Sequence, residues 1–462
     1  MVDFPDMHGA PGTGERAEGA PRSPAGTAPA DRWGEPGAPH VVIVGGGFAG
    51  LYAARALRRA PVRVTLLDRR NHHLFQPLLY QVATAALSPG DVAYPIRAVL
   101  ARQANTRVWM AEAVAVDLAG RRVLLSDGAL AYDYLILAAG CRYAYFGHDA
   151  WERLAPGLKS LEDAFEIRTR IISAFELAER EVDERRRRDR MTFAVVGGGP
   201  TGVELAGAIA EIACKVLRRD FRVIDPCTAR VLLVEAGARI LPAFPEELSA
   251  KAERSLARLG VEVWKESPVT EIEDGRLRAG GRDVVAANVF WAAGVTASPL
   301  AATLGVALDR AGRVLVEPDL TVPAHPGVFV AGDLAAFLHQ TGKPLPGVAP
   351  VAIQQGRHAA ANIVRAVRRQ TARPFRYADR GSLATIGRAA AVAAVGRLRF
   401  SGYPAWLVWL FVHIAWLIGF RNRFLVLFEW AWAYVTYQRA VRLITGEPRL
   451  VLERARGGER AA

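Results

Sequence analysis

The sequence predicts an α/β fold with two Rossmann-like dinucleotide-binding units, followed by a C-terminal helical region suited to a membrane surface. Three observations carry that expectation. The stretch His40–Gly50 (HVVIVGGGFAG) runs from a β-forming segment through Gly45-x-Gly47-x-x-Gly50 into an Ala/Leu-rich helical pattern. The same pattern returns at Gly197-x-Gly199-x-x-Gly202, roughly 150 residues later, as an internal repeat. From Ile386 onward the chain is rich in Trp and carries eleven Arg against four Glu and no Lys.

The chain has 462 residues, 51% of them hydrophobic, enough for two or three domains with real cores. Its net charge of +13 suits an anionic membrane surface, an anionic cofactor or nucleic acid, and chooses none of them. The three cysteines, Cys141, Cys214 and Cys227, form no C-x-x-C pair and no metal-ligand spacing. They are expected to be buried or incidental thiols in a reducing compartment, with no structural disulfide and no bound metal. Met1–Pro39 is Gly-, Ala- and Pro-rich and is expected to be a disordered tail, without the apolar core of a signal peptide.

In the first unit Gly45 makes a tight turn, and Gly47 lets the backbone approach a pyrophosphate seated on the helix N-terminus. Asp68 closes the next predicted strand, Val62–Leu67, at about the spacing where an acid holds a ribose hydroxyl. The segment Asn71–Leu100 lacks clean periodicity, and either packs as a connection or lines the cofactor's reactive end. Val108–Leu125 alternates like strands, with a turn at Asp127-Gly128. Tyr134–Gly140 reads as a buried strand ending in a turn at Ala139-Gly140, a second place where backbone approaches the cofactor.

A charged helix, Leu161–Arg190, precedes the repeat. Thr192–Val196 is then the strand, Gly197, Gly199 and Gly202 the turn, and a helix starts around Val203. The matching acid is Glu235, further from its glycines than usual because Ile212–Arg230 inserts a longer helix and a loop. A carboxylate there bonds both ribose hydroxyls and repels a 2′-phosphate, which favours NADH over NADPH, while Arg239 nearby is the feature that would accommodate the phosphate. Strands are expected at Val261–Val263, Val269–Ile272 and Val284–Val289, and Phe290–Val295 repeats the strand and glycine turn at Gly294. Val328–Asp333 ends in Gly332-Asp333, where the aspartate either hydrogen-bonds a cofactor ribityl or phosphate group or caps a helix. Val348–Gly356 opens a helix with Gln354 and Gln355 near its start, its positive end suited to an electron-rich ring.

Ala405–Phe420 is apolar on all faces, with Trp406, Trp409, His413, Trp416 and Phe420 on one stripe. At 1.5 Å per residue it spans about 24 Å, short of the ~30 Å hydrocarbon core. Arg421-Asn422-Arg423 interrupts, and Phe424–Tyr437 is apolar again around Glu429. Short Trp-rich helices flanked by Arg fit a monotopic anchor, or a helical hairpin buried at a dimer interface.

The order GGGFAG, Asp68, NHHLFQPLLYQVATAALSPGDVAYPIR, GGGPTGVELAG, WAAGV, VFVAGDLA, VAPVAIQQG and a Trp-rich tail resembles the type II (single-subunit, non-proton-pumping) NADH:quinone oxidoreductases, over about residues 40–447. The resemblance implies that the first unit binds FAD, the second binds NADH as substrate, and the C-terminal helices hold the enzyme on the membrane, on the cytoplasmic face and as a homodimer. It implies that Gly45, Gly47, Gly50, Asp68, Ala139, Gly140, Gly332 and Asp333 bind FAD, and that Gly197, Gly199, Gly202, Glu235 and Gly294 belong to the NADH site. Glu204 matches the family's glutamate near the nicotinamide, and Gln354 and Gln355 its pair near the isoalloxazine and the quinone channel. One departure is Ala349-Pro350, where many members carry Ala-Gln. The domains follow as a tail 1–39, an FAD-binding domain in two parts 40–160 and 296–385, an NADH-binding domain 161–295 and a membrane-associating region 386–462. Rival readings are a sulfide:quinone reductase or a disulfide reductase, both of which need reactive cysteines. A third is a basic NADH-sensing flavoprotein acting as an interaction module, although no nucleic-acid partner is expected beside an apolar anchor.

Overall fold

The computed structural model describes residues 33, 37–417, 424–428, 430 and 442–444. The expected tail up to residue 36 apart from Trp33, together with Phe420, the Arg421–Arg423 interruption and Glu429, lies outside the described residues.

The strand His40–Val44 is the centre of a six-stranded sheet in the order Thr321–Val322, His325–Val330, Tyr134–Leu137, His40–Val44, Arg63–Asp68, Thr106–Met110. All neighbours run parallel except the first pair. All five residues of His40–Val44 are buried, as expected for a parallel strand covered on both faces. The chain leaves this strand for Arg63–Asp68 on one side and Tyr134–Leu137 on the other. The crevice at its C-terminal end, between Val44 and Leu137, is therefore a topological switch point, where ligands of open α/β sheets bind.

The second unit repeats the plan in a four-stranded parallel sheet, Val261–Trp264, Arg230–Val234, Thr192–Val196, Asn288–Trp291. Its switch point lies between Val196 and Trp291. Each unit also carries a three-stranded meander, one over Ala113–Asp117, Arg122–Leu125 and Gly128–Ala131, the other over Val269–Glu273, Arg276–Ala279 and Arg282–Val285. The units are stitched together by a short antiparallel ladder, Cys141–Tyr143 against Val295–Ala297, which follows the glycine turns at Gly140 and Gly294.

Several elements differ from the sequence expectation. The charged helix is two helices, Leu161–Glu179 and Glu184–Arg190. Asp183 caps the second by accepting from Arg186 N at 2.8 Å, and the Glu179 carboxylate takes the N–H groups of Arg222, Val223 and Ile224. The Val284–Val289 segment is split at Ala286-Ala287 between two sheets. The helix of the second unit starts at Pro200 rather than Val203, since a proline at its first position gives up no needed N–H.

The C-terminal region opens on a three-stranded antiparallel sheet, Ser382–Thr385, Ala391–Val395 and Leu398–Gly402, before the helix Tyr403–Trp416. On that helix Trp409 is fully buried, and Trp406 and Trp416 pack against the core. The described members of the aromatic stripe therefore face inward. The outward stripe is Tyr403, Leu407 and Phe411, with Phe411 73% exposed, joined by exposed Phe424, Leu427 and Phe428. No described helix is long and apolar enough to cross a membrane.

The expectation for the cysteines is corrected. Cys214 and Cys227 form a disulfide across a separation of 13 residues, and Cys141 alone is free. Their spacing gave no sign of this because a π-helical turn at Ile212–Val216 and a 3₁₀ turn at Pro226–Thr228 fold the insertion back on itself.

Candidate functional site

The two glycine turns are built alike to within tenths of an ångström. Gly45 has φ +105° and Gly197 +110°, conformations closed to other residues. A Cβ on Gly50 would lie 1.8 Å from Gly45 O, and one on Gly202 would lie 1.8 Å from Gly197 O, so both helices need glycine to sit against their strands. A Cβ on Gly47 or Gly199 would meet nothing within 4 Å. These glycines face open space and leave the helix N-termini unobstructed. Gly47 and Gly199 are also the N-caps of their helices, with no side-chain cap, so the first backbone N–H groups remain for an anion.

The two acids hold the turns in the same way. Asp68 Oδ2 accepts from Gly46 N at 2.6 Å and Oδ1 from Arg70 N at 2.7 Å. Glu235 Oε2 accepts from Gly198 N at 2.6 Å and Oε1 from Gly237 N at 2.6 Å. Each charge-assisted bond contributes about 1.5–3 kcal/mol and still leaves a lone pair for a ribose hydroxyl. Arg239, near Glu235, is occupied by Pro242 O, Phe244 O and the Ser249 hydroxyl.

A cleft of about 670 Å³ opens at the first switch point. It brings together Gly45, Gly47, Asp68, Ala139, Gly140, Gly332 and Asp333, and adds His72, Gln76, Cys141 and Lys159, which the sequence did not single out. Gly50 is not among the lining residues and packs against Gly45 O. The volume of the cleft, its two glycine approaches and its helix N-terminus fit a dinucleotide as large as FAD. On one wall the Cys141 thiol donates to Asp333 Oδ2 at 2.9 Å, and Lys159 Nζ donates to Cys141 Sγ at 3.2 Å. Burial and the Asp333 charge push the thiol up to about 12, so Cys141 stays neutral and is a poor nucleophile.

Gln354 and Gln355 do not line this cleft. Gln355 is buried and its Oε1 accepts from Gly332 N at 2.7 Å, bracing the Gly332-Asp333 turn from behind. Gln354 exchanges two hydrogen bonds with the backbone of Ala378. Gly294, at φ +70°, sits in the second unit under the Phe146 ring.

Glu204 occupies a third setting, buried on the Pro200–Glu211 helix. Burial raises its carboxyl from the usual 4.5 to about 8, opposed by Thr385 N, which donates to Oε1 at 3.3 Å. Thr385 Oγ1 shares a 3.0 Å hydrogen bond with Tyr80 OH, Gln81 Nε2 donates to Tyr80 OH at 3.0 Å, and Trp430 Nε1 donates to Gln81 Oε1 at 2.7 Å. The chain of contacts runs from the C-terminal region to the buried acid along a cavity of about 110 Å³. Tyr80, Gln81, Thr385, Glu211, Trp409 and Trp430 all line it. Asn71–Leu100 therefore plays both expected parts: His72, Leu74 and Gln76 face the large cleft, while Tyr80 and Gln81 face the small one. His413 lies in this layer, stacked on Trp409 at 4.2 Å and held neutral by burial, which lowers it to about 4.

Comparison with known proteins agrees with this geometry. Residues 39–356 match the pyridine nucleotide-disulphide oxidoreductase family, and residues 380–437 match the NDH2 C-terminal domain. The type II NADH:quinone oxidoreductase NdhA of Mycobacterium tuberculosis is 45% identical over 436 residues, 90% of this chain and 92% of that protein. Ndh of the same organism is 44% identical, covering 88% and 90%. The structure of NDH2 from Plasmodium falciparum in complex with NADH aligns with a TM-score of 0.80 at 19% identity, covering 88% of this chain and all of that one. The sulfide:quinone oxidoreductase of Aquifex aeolicus aligns with a TM-score of 0.67 at 20% identity, covering 84% and 92%.

Proposed function

The chain belongs to the type II NADH:quinone oxidoreductases, within the pyridine nucleotide-disulphide oxidoreductase family, and from that premise we propose how its residues carry the activity. It is an FAD-dependent NADH dehydrogenase whose electron acceptor is a quinone. FAD, when bound, supplies the redox chemistry, taking hydride from NADH and returning two electrons to the quinone without proton pumping. The observation that carries the reading is the pair of matched crevices, each with its glycine turn, free helix N-terminus and acid, joined by the Cys141–Tyr143 and Val295–Ala297 ladder.

Gly45, Gly47 and Gly50 shape the floor under the FAD pyrophosphate, and Asp68 takes the ribose hydroxyls. Ala139, Gly140, Gly332 and Asp333 flank the rest of the cofactor. Gly197, Gly199, Gly202 and Glu235 do the same for NADH, with Gly294 shaping the adjoining turn. Glu235 excludes the 2′-phosphate of NADPH, and Arg239 is held by its backbone partners away from rescuing it. Gln355 positions the Gly332-Asp333 turn and Gln354 ties the segment at Ala378 to the same helix, so the pair acts by bracing the cleft. Glu204 is protonated at neutral pH and holds its proton on a carboxyl oxygen beside Thr385 and Tyr80. It can serve as a proton store beside the small cavity that Tyr80 and Thr385 line.

The outward stripe of Tyr403, Leu407 and Phe411, with Phe424 and Phe428, lies on the membrane surface, the protein bound peripherally to the cytoplasmic face and dimeric. The sulfide reading is disfavoured by the neutral Cys141 and because neither Cys214 nor Cys227 lines the large cleft.

The test is steady-state turnover of the purified yellow protein with NADH or NADPH and a soluble quinone analogue. NADH oxidation that depends on quinone and prefers NADH is expected. Oxidation indifferent to quinone would overturn the reading.

A further inference from the structure

We propose that the Cys214–Cys227 disulfide is a thiol-exchange site for a protein dithiol, and that its state sets the rigidity of the 212–230 segment and of the cavity wall it supplies. Cys214 sits in the turn Ile212–Val216 that continues the Glu204 helix, and Cys227 sits in the turn Pro226–Thr228 just before the strand Arg230–Val234, which leads to Glu235. One covalent bond thus ties the end of the helix carrying the buried acid to the start of the strand leading to the nucleotide-binding acid.

Access is asymmetric. Cys227 is exposed and Cys214 is half-buried. An incoming thiolate attacks Cys227 Sγ, the S–S bond breaks, and Cys214 leaves as a thiolate that takes a proton from water. The second thiol of the donor then displaces Cys227, which also takes up a proton. The protein bridge gains two electrons and two protons, and the dithiol becomes a disulfide.

Ile212, Ala213, Val216, Leu217 and Ile224 anchor the segment in the core, and between those anchors its remaining restraints are polar and near the surface. Arg222, Val223 and Ile224 N donate to the Glu179 carboxylate at 2.8, 3.0 and 3.0 Å, and Asp220 pairs with Arg442. Closing a loop of this length restrains opening by a factor on the order of a hundred. The segment also bears on the 110 Å³ cavity, because Glu211 and Val216, at the two ends of the same turn, line it together with Tyr80 and Thr385. Reduction loosens that wall while leaving the glycine turns and their acids in place. The consequence for turnover rests on the quinone-reductase reading; the exchange chemistry does not.

The experiment uses the flavin-loaded full chain. Denatured without reductant, it should show one reactive thiol, and three after dithiothreitol; three before treatment overturns the bridge. With a thioredoxin-type dithiol protein as reductant, alkylation should label Cys214 and Cys227 together. Failure of that protein to label them in the folded enzyme overturns the exchange site. Amide hydrogen exchange over 212–230 should quicken by up to about a hundredfold on reduction. Unchanged exchange overturns the clasp. The Cys214→Ser/Cys227→Ser double variant should exchange like the reduced protein and ignore dithiol; a variant that still responds overturns the assignment. KM for the quinone analogue should shift several-fold on reduction with KM for NADH steady, and an unmoved quinone KM overturns the link to the cavity. A protein with no quinone turnover at all overturns the functional reading and leaves the thiol counts standing.

Discussion

Glu204→Gln should make the protein more stable at pH 8 and leave it little changed at pH 4.5. The carboxyl titrates at about 8 in the fold against 4.5 when unfolded, because burial disfavours its charge. Below 4.5 both states hold the proton and the site is neutral in either. Between the two values the unfolded chain releases its proton and the folded chain does not, so the stabilisation present at low pH is lost as pH rises toward 8. At about 1.36 kcal/mol per pH unit, the loss accumulates to about 5 kcal/mol as an upper figure, which relaxation around the site reduces to several kcal/mol. Glutamine keeps the shape and a carbonyl oxygen for Thr385 N but cannot ionise, so the variant escapes this slope. Urea unfolding of the flavin-loaded protein at pH 5, 6, 7 and 8 measures it. The difference between variant and wild type should grow steadily with pH. Parallel curves would refute the claim that Glu204 is buried neutral. The same substitution should flatten the pH dependence of quinone reduction near pH 8.

Glu235→Ala strips the acceptor from Gly198 N and Gly237 N and should raise KM for NADH at least tenfold while narrowing the preference over NADPH, read from steady-state kinetics with both nucleotides. Gly50→Ala places a methyl 1.8 Å from Gly45 O, which forces the helix off its strand. The purified variant should be colourless or destabilised by more than about 3 kcal/mol, checked by flavin absorbance and unfolding. Leu407→Ser with Phe411→Ser removes exposed apolar contacts without touching the buried Trp409, and should lower partitioning onto anionic vesicles at least tenfold with flavin content unchanged. Retained vesicle binding would show that the outward stripe is not the contact.

The parts of the site legible in the sequence are those dictated by local backbone sterics. Gly45, Gly50, Gly197 and Gly202 must be glycine for reasons confined to a strand, a turn and a helix, and their acids follow at the end of the next strand. The repeat extended this reading to Gly140 and Gly294. What stayed hidden depends on chain segments far apart. Tyr80 meets Thr385 across 305 positions, and no spacing rule joins them. The sheet Ser382–Gly402 is not legible because its middle strand, Ala391–Val395, has three alanines around two valines and no clean alternation, and is held by its neighbours. The cysteine pair was missed for a related reason: a π turn and a 3₁₀ turn leave no periodic trace.

The ladder between the two units has only three residue pairs: Cys141 with Ala297, Arg142 with Thr296, and Tyr143 with Val295. Its register works as a ruler. A slip of one residue would move one crevice against the other by about 3.4 Å and turn every side chain on the ladder to the opposite face, so no small slide is available. Each strand begins right after the glycine turn of its own unit, and the ruler is thus read from both ends at the nucleotide sites. The spacing of the two crevices is thereby written into hydrogen bonds formed at folding.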